Sequence, residues 1–338
     1  MKIYAWSIPV FLAALVMSAT NACAAPTVTY FDVPGGSVDT AVIDNAGEVS
    51  GAYLGSDGNK HGYKRTVDGT ITTFDGPGGV YTIPNDISKG VIIGQYLTTS
   101  PQNGGTDSSG FILPPDGPAV AFSVANSSYT IPIGINNGVI VGMYGGVKKH
   151  AADRYAFVRS PTGIIKRFSV PGANETEAGD VNSSGVIVGN AYSGPDEGGF
   201  IRSPDGSLTT FGVQDGGRPF ASSIQIDGIV AGTFIGNRNL VHGFIRSTNG
   251  AYKIVDVPGA SYTAVSCINN NEWSVGIWST NADGTNAKSF IRTADGKIKK
   301  FSIEQAAFTW LNHINSANVA SGIYFDQQNV GHGVIVTP

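Results

Sequence analysis

A glycine closing a short apolar run recurs at Gly51, Gly94, Gly142, Gly189, Gly232, Gly276 and Gly322, and nothing in the chain constrains its fold more. The spacings are 43, 48, 47, 43, 44 and 46 residues. A period of this size, filled with short apolar stretches and turn residues, predicts a propeller or a related repeat array.

The fourth unit shows the plan most plainly. Thr176 to Asn182 reads as a short strand, Ser183-Ser184-Gly185 as a turn, and Val186 to Ala191 as a second strand carrying Gly189. A polar loop, Ser193 to Glu197, leads to a third strand at Gly199-Phe200-Ile201-Arg202. Asp205-Gly206 predicts a hairpin turn, since both residues take positive φ readily, and Ser207 to Phe211 begins the fourth strand. The third-strand aromatic recurs as Tyr63, Phe111, Phe157, Phe200, Phe244 and Phe290, with Val334 in the last unit. The fourth-strand apolar residue recurs as Phe31, Phe74, Phe122, Phe168, Phe211, Val255 and Phe301.

Four antiparallel strands per repeat match a propeller blade. The last unit stops after its third strand, and Thr27 to Val33 resembles a fourth strand without a unit of its own. The two fragments are expected to complete one blade, because a closed ring leaves no unpaired edge at its seam. The fold class expected is therefore all-β: a seven-bladed β-propeller, four antiparallel strands per blade, its ring closed by the N-terminal strand. Glycine in mid-strand weakens a sheet unless another group approaches closely. The recurring glycine is thus expected to make room for an aromatic of the neighbouring blade.

Charged residues are 14% of the chain and glycines number 46, which suits short strands and tight turns rather than helices. The formal net charge of −4 argues against a nucleic-acid partner, which needs a basic face. Lys2, the apolar stretch Ile8 to Met17 and Ala22-Cys23-Ala24 have the form of a signal peptide over residues 1–24, too short to span a membrane. The expectation is a single domain over residues 25–338, secreted or periplasmic, monomeric and free of the membrane after cleavage. Cys267 is then its only cysteine, so stability must come from packing without a disulfide.

Pro171-Gly172-Ala173 and Pro258-Gly259-Ala260 begin a motif that continues as Ile135-Asn136, Ile268-Asn269 and Ile314-Asn315. It goes on as Ile140-Val141-Gly142 and Ile187-Val188-Gly189, then His61-Gly62-Tyr63, His242-Gly243-Phe244 and His332-Gly333-Val334. In these elements the mature chain resembles a bacterial extracellular repeat family named for its His-Ala-Phe motif. The resemblance implies the propeller-type fold and an extracytoplasmic location. Its motif residues are scaffold residues and imply no reaction. Only Tyr155-Ala156-Phe157 keeps the alanine, and four units lack the histidine.

Propeller topology puts the second-to-third strand loops and the blade links on one face. Those loops vary most in length, so binding is expected there. The links carry an aromatic just ahead of the innermost strand at Tyr81, Tyr129, Phe220, Tyr262 and Phe308, and Glu175 and Arg218 stand where the pattern breaks. These seven residues are the candidate ligand site. They read either as inter-blade packing or as a platform for sugar rings, since aromatic bodies with polar tips suit partly wet sites. A second cluster, Asp86, Gly134, Asp180, Cys267 and His313, precedes the Ile or Val of five innermost strands. It reads chiefly as buried structural hydrogen bonding, although its residue types include metal ligands. Lys148, Lys149, His150 and Arg154 form a basic loop, and Asn281-Ala282-Asp283-Gly284 a turn without the distal Glu of a calcium loop. There is no His-Glu-x-x-His, Gly-x-Ser-x-Gly or phosphate-cradling motif, so no cofactor, metal or catalytic residue is assigned. The function expected is a non-enzymatic binding module for a carbohydrate or protein ligand. The alternative is an extracellular polysaccharide lyase or hydrolase.

Overall fold

The computed structural model describes residues 26–101, 107–145, 154–193, 196–213 and 217–338. The expected signal peptide and the basic-loop residues Lys148, Lys149 and His150 lie outside the described residues. Among the described residues nearly every regular element is a β-strand. No helix among the described residues is long and apolar enough to cross a membrane.

In the fourth unit Glu175–Val181, Ile187–Ser193, Asp196–Arg202 and Leu208–Phe211 form one antiparallel sheet in chain order. Its turns follow from the sequence: Gly185 and Gly206 take φ of 78° and 99°, and Asp205 Oδ1 accepts the Ser207 N–H at 2.9 Å. The expected loop from Ser193 to Glu197 is instead mostly strand. Tyr192 pairs with Glu197 and Ser193 with Asp196, so strand pairing extends into the expected loop.

The same meander recurs, with innermost strands Tyr81–Ser88, Tyr129–Asn136, Arg218–Ile224, Tyr262–Ile268 and Phe308–Ile314. A single parallel bridge, Val241 to Tyr262, joins two meanders into one eight-stranded sheet. The first sheet has five strands because its innermost strand is split into Gly36–Val38 and Val42–Ile43, both paired with Val49–Gly55. The last sheet takes its fourth strand from the start of the chain. Thr27–Phe31 runs antiparallel to Gly331–Thr337, with Tyr30 opposite Val334 and Phe31 opposite Gly333.

The core lies between sheets. Tyr63, Phe111, Phe157, Phe200, Phe244 and Phe290 are all fully buried. Fourth-strand aromatics meet the third-strand aromatic of the next unit: Phe74–Phe111, Phe122–Phe157 and Phe168–Phe200 have centroids 5.9, 6.1 and 5.8 Å apart. Such pairs add about 0.5–1.5 kcal/mol beyond the area they bury. Over several of these rings lies an arginine of the next unit, as Arg202 does over Phe168 at 4.9 Å and Arg65 over Phe31 at 5.3 Å.

The recurring glycine has a different cause from the one expected. In six innermost strands the register slips by one residue, as between Ala178 and Asp180 or Leu311 and His313. The residue ahead of each slip lies opposite the glycine, as Ala178 does Gly189. The bulge turns a carbonyl onto the glycine. A Cβ at Gly189 would sit 2.1 Å from Glu177 O and 2.7 Å from Phe200 Cζ, both in its own sheet. The close neighbour is therefore the unit's own backbone, not an aromatic of the next unit.

The motif histidines also find scaffold roles. His61, His242 and His332 hydrogen-bond through Nδ1 to Asp75, Asp256 and Asp32 at 2.9, 2.9 and 2.5 Å. Each ring lies against a second-strand aromatic, Tyr53, Phe234 or Tyr324. The third of these clasps ties the first strand of the chain to the last.

Candidate functional site

The innermost strands carry side chains in tiers. The Asn of the Ile-Asn motif forms one of them. Asn315 Oδ1 accepts the Ala317 and Val319 N–H groups at 3.0 Å, capping its own turn, while its Nδ2 donates to Asp44 O at 3.0 Å. Asn269 does the same within its turn and donates to Asn315 O at 2.7 Å. Asn182 donates to Gln225 O at 2.9 Å. All three are buried, where an unpaired amide costs about 1–3 kcal/mol, so at these three positions the asparagine is explained by hydrogen bonding between units.

The next tier is the second cluster of the sequence. Asp86 Oδ1 accepts its neighbour's Ile87 N–H and Oδ2 the Ile135 N–H of the next unit, both at 2.8 Å. Asp180 repeats this with Val181 and Ile224 at 2.7 and 2.9 Å. Ser223 accepts the Ile268 N–H at 3.4 Å, and its hydroxyl lies 3.7 Å from Cys267 Sγ. His313 makes no such link: its Nδ1 is buried without a partner. Val42 and Gly134 occupy the tier in the remaining two units.

Charge collects here. Burial pushes the Asp86 carboxyl up to about 7, against the pull of His313 and two N–H donors. Burial also raises Asp180. For His313 burial opposes the charge, but Cys267, Asp86 and Asp180 outweigh it and hold the imidazole near about 10. Burial likewise opposes a Cys267 thiolate, and His313 with the Ile314 N–H overcomes it, leaving the thiol below its ordinary value. Among the described residues no three His, Cys, Asp or Glu side chains are arranged to hold a metal ion.

Asp86, Asp180, Ser223, Cys267 and His313 border two cavities at once. One, of about 340 Å³, opens at the first-to-second strand turns, beside Asn45, Asn137 and Asn270. The other, of about 530 Å³, opens at the starts of the innermost strands, beside Tyr262 and Trp310. This second mouth is the loop side, since Ser108, in the second-to-third connection, bridges to Tyr129. Its wall carries the bulge residues Asn85, Ser222, Ser266 and Asn312. Asn85 donates to Pro132 O at 2.6 Å and Ser222 to Val265 O at 3.0 Å, each reaching the next unit. Trp310 Nε1 donates to Ser266 Oγ at 3.0 Å.

Tyr81, Tyr129, Glu175, Arg218, Tyr262 and Phe308 all stand at the outer start of their strands, opposite Leu97, Gly145, Tyr192, Ile235, Ser279 and Phe325. Tyr262 also borders the larger cavity. Phe220 is out of register with them: it pairs with Thr233, two residues nearer the bulge, and Arg218 holds the rim position. Arg154 approaches Glu175 at 3.6 Å and ion-pairs with Glu177, making a polar sector beside Tyr129. The Asn281-Ala282-Asp283-Gly284 segment is a turn in which Asp283 Oδ1 accepts from the Thr285 N–H and hydroxyl at 3.0 and 2.7 Å. Sequence reasoning missed Ser223, Asn85, Ser222, Ser266, Asn312 and Trp310. Their signal is two successive polar residues within an apolar strand, as in Asn85-Asp86 and Asn312-His313, which marks a bulge.

No protein-family model matches this sequence, and neither does any curated protein sequence. Solved structures do match in shape. A catalytically inactive virginiamycin B lyase from Staphylococcus aureus, with quinupristin, aligns with a TM-score of 0.62 at 12% identity, over 93% of this chain and 100% of that one. The β-propeller domain of the Trilobed protease from Pyrococcus furiosus aligns at 0.57 and 10% identity, over 88% and 95%. The BP39L lectin from Burkholderia pseudomallei aligns at 0.51 and 7%, over 91% and 97%. At such identities the likeness concerns shape alone, and with the antiparallel four-stranded sheets it gives this chain a β-propeller fold.

Proposed function

We propose that the protein is an exported seven-bladed β-propeller of the His-Ala-Phe repeat type that binds carbohydrate, without turning it over, in the cavity on its loop side. Counting each four-stranded meander as a blade gives seven, the eight-stranded sheet supplying two. Support for a closed ring comes from both ends of the chain. Thr27–Phe31 completes the last sheet, Phe31 packs 5.9 Å from Tyr63, and Asn315 donates to Asp44.

The observation that carries the binding reading is the make-up of the larger cavity. Tyr262 and Trp310 offer aromatic surface beside a wall of amides and hydroxyls, Asn85, Asn312, Ser222 and Ser266. Sugar rings present apolar C–H faces and a fringe of hydroxyls, so this pairing of surfaces suits them. Tyr81, Tyr129, Glu175, Arg218 and Phe308 form an outer rim that a longer saccharide reaches. The lectin among the structural neighbours is consistent with such use of the fold.

Purified protein on a glycan array, followed by calorimetry with the best ligand, tests this. Tyr262→Ala is expected to weaken binding at least tenfold, about 1.4 kcal/mol, with Tyr81→Ala weaker in effect. Unaltered affinity in both Tyr262→Ala and Trp310→Phe removes the cavity from consideration. Breakdown of the bound polysaccharide would establish the lyase or hydrolase alternative instead.

A further inference from the structure

We infer that the saccharide taken by the loop-side cavity is a basic one, whose unacetylated amino group seats as an ammonium beside Gly134, between Asp86 and Asp180. This inference rests on the carbohydrate reading and narrows it to a class of sugar. The first observation is how the wall spends its hydrogen bonds. Asn85 Nδ2 donates to Pro132 O at 2.6 Å, and Asn312 Nδ2, in the amide orientation its neighbours require, donates to Ala41 O and Ser321 O at 2.7 and 3.1 Å. Ser222 likewise gives its hydroxyl hydrogen to Val265 O. With these donors turned to backbone, the Oδ1 atoms of Asn85 and Asn312 accept from no group among the described residues, and no Lys or Arg borders the cavity. An amide oxygen only accepts, so such a wall selects a ligand that brings donors.

The second observation is a gap in the tier below. Gly134 stands there between Asp86 and Asp180, and all three border the cavity. Asp86 reaches across to the Ile135 N–H, next to Gly134, at 2.8 Å, which holds its carboxyl beside the gap. A Cβ at Gly134 would lie 3.2 Å from Asp180 Cα and 3.2 Å from Gly179 O, so a side chain there would close the space. The third observation is the balance of charge. Neither carboxyl ion-pairs with Lys or Arg among the described residues, and the basic group facing both is His313. Two carboxylates against one imidazole leave a negative charge without a partner, and a charge held away from water is costly unless paired. An ammonium supplies that charge together with three donors. An acetamido group brings bulk without charge and a uronate brings the wrong sign, so both are selected against.

Calorimetry at pH 7 compares oligosaccharides of equal length: a glucosamine tetramer, its fully N-acetylated form and a uronic acid tetramer. The glucosamine tetramer is expected to bind at least about tenfold more tightly than the N-acetylated form, and the uronic acid most weakly. Asp180→Asn keeps an acceptor for the Ile224 N–H and should cut the preference to less than about threefold. Gly134→Ala fills the gap while leaving both carboxyls in place, and should cut it likewise. Urea midpoints verify that the variants fold, and either one suffices for the comparison. Equal affinity for the amino and acetamido forms, both lost in Tyr262→Ala, overturns the inference while the carbohydrate reading stands. A preference that survives both variants puts the ammonium elsewhere and overturns it too. Absence of binding by any saccharide removes the inference and the carbohydrate reading together.

Discussion

Gly189→Ala isolates the contact that sets the repeat. The added Cβ would stand 2.1 Å from Glu177 O, where ordinary contact begins at 3.4 Å, and 2.7 Å from Phe200 Cζ. Neither obstacle yields easily. The oxygen belongs to backbone held by the bulge between Ala178 and Asp180, and Phe200 is fully buried. Relief therefore requires the innermost strand to move, which strains the link from Asp180 to Ile224. The cost should reach the top of the overpacking range, about 3 kcal/mol, lowering Tm by roughly 4–6 °C in a chain of this size.

Two other glycines separate the clash from loss of glycine's own freedom. Gly172 has φ of 82° with nothing within 4 Å of a Cβ, so Gly172→Ala should cost about 1–2 kcal/mol through backbone strain alone. Gly212 has neither a positive φ nor a neighbour within 4 Å, so Gly212→Ala should be neutral or stabilising by about 0.4–1 kcal/mol. Urea unfolding and thermal melts of the three variants give the ranking. If Gly189→Ala proves no worse than Gly172→Ala, the bulge account of the repeat is wrong.

Three further outcomes are expected. Phe200→Ala should cost about 3–5 kcal/mol as a fully buried ring, and the half-buried Phe168 less on truncation, by the same urea assay. Asn315→Ala should cost about 1–3 kcal/mol by leaving the Ala317 and Val319 N–H groups of its own turn without their side-chain acceptor and removing its link to the Asp44 carbonyl, measured as a drop in unfolding midpoint. The stability that His332 contributes should fall as pH rises above about 6.5. Burial opposes the charge of His332, but its bonds to Asp32 and Asp326 raise its pKa above the ordinary value. A raised histidine contributes fully below its unfolded pKa of about 6.5 and loses that contribution as pH passes the folded value. His332→Gln should flatten part of this decline in urea midpoints taken across the range, and an unchanged slope counts against the clasp.

The sheets were legible because their determinants are local and repeated. Asp205-Gly206 specifies a turn through positive φ, and the apolar residues around Phe200 and Phe211 mark strands buried between sheets. The chain ends were legible too, since Thr27 to Phe31 repeats a fourth-strand pattern and pairs with Gly331–Thr337. What escaped was register. A bulge inserts one residue without altering composition, so Phe220 looked equivalent to Tyr262 when Arg218 is. The same slip hid Ser222 and Ser266, which strict alternation assigns to the wrong face. The aromatic neighbour expected for Gly189 failed because bulge geometry turns backbone, not a side chain, toward it.

The repeated residues and the unrepeated ones divide the labour of this fold. The motif histidines, the asparagines Asn182, Asn269 and Asn315, and the recurring glycine each satisfy a geometric demand of the sheets: a clasp to the fourth strand, a link to the next unit, a gap for a bulged carbonyl. Their recurrence is explained without reference to a ligand. The tier of Val42, Asp86, Gly134, Asp180, Ser223, Cys267 and His313 faces one demand only, an acceptor for the next unit's N–H, and Val42 and Gly134 show that the sheets form where no side chain supplies one. Residue type at that tier is thus free of the scaffold's constraint. It is also where both cavities meet and where burial moves the titration of Asp86, Asp180, Cys267 and His313. In a chain built from copies of one unit, specific chemistry has to arise where the copies differ while their positions remain equivalent, and this tier meets that condition at the centre of the molecule.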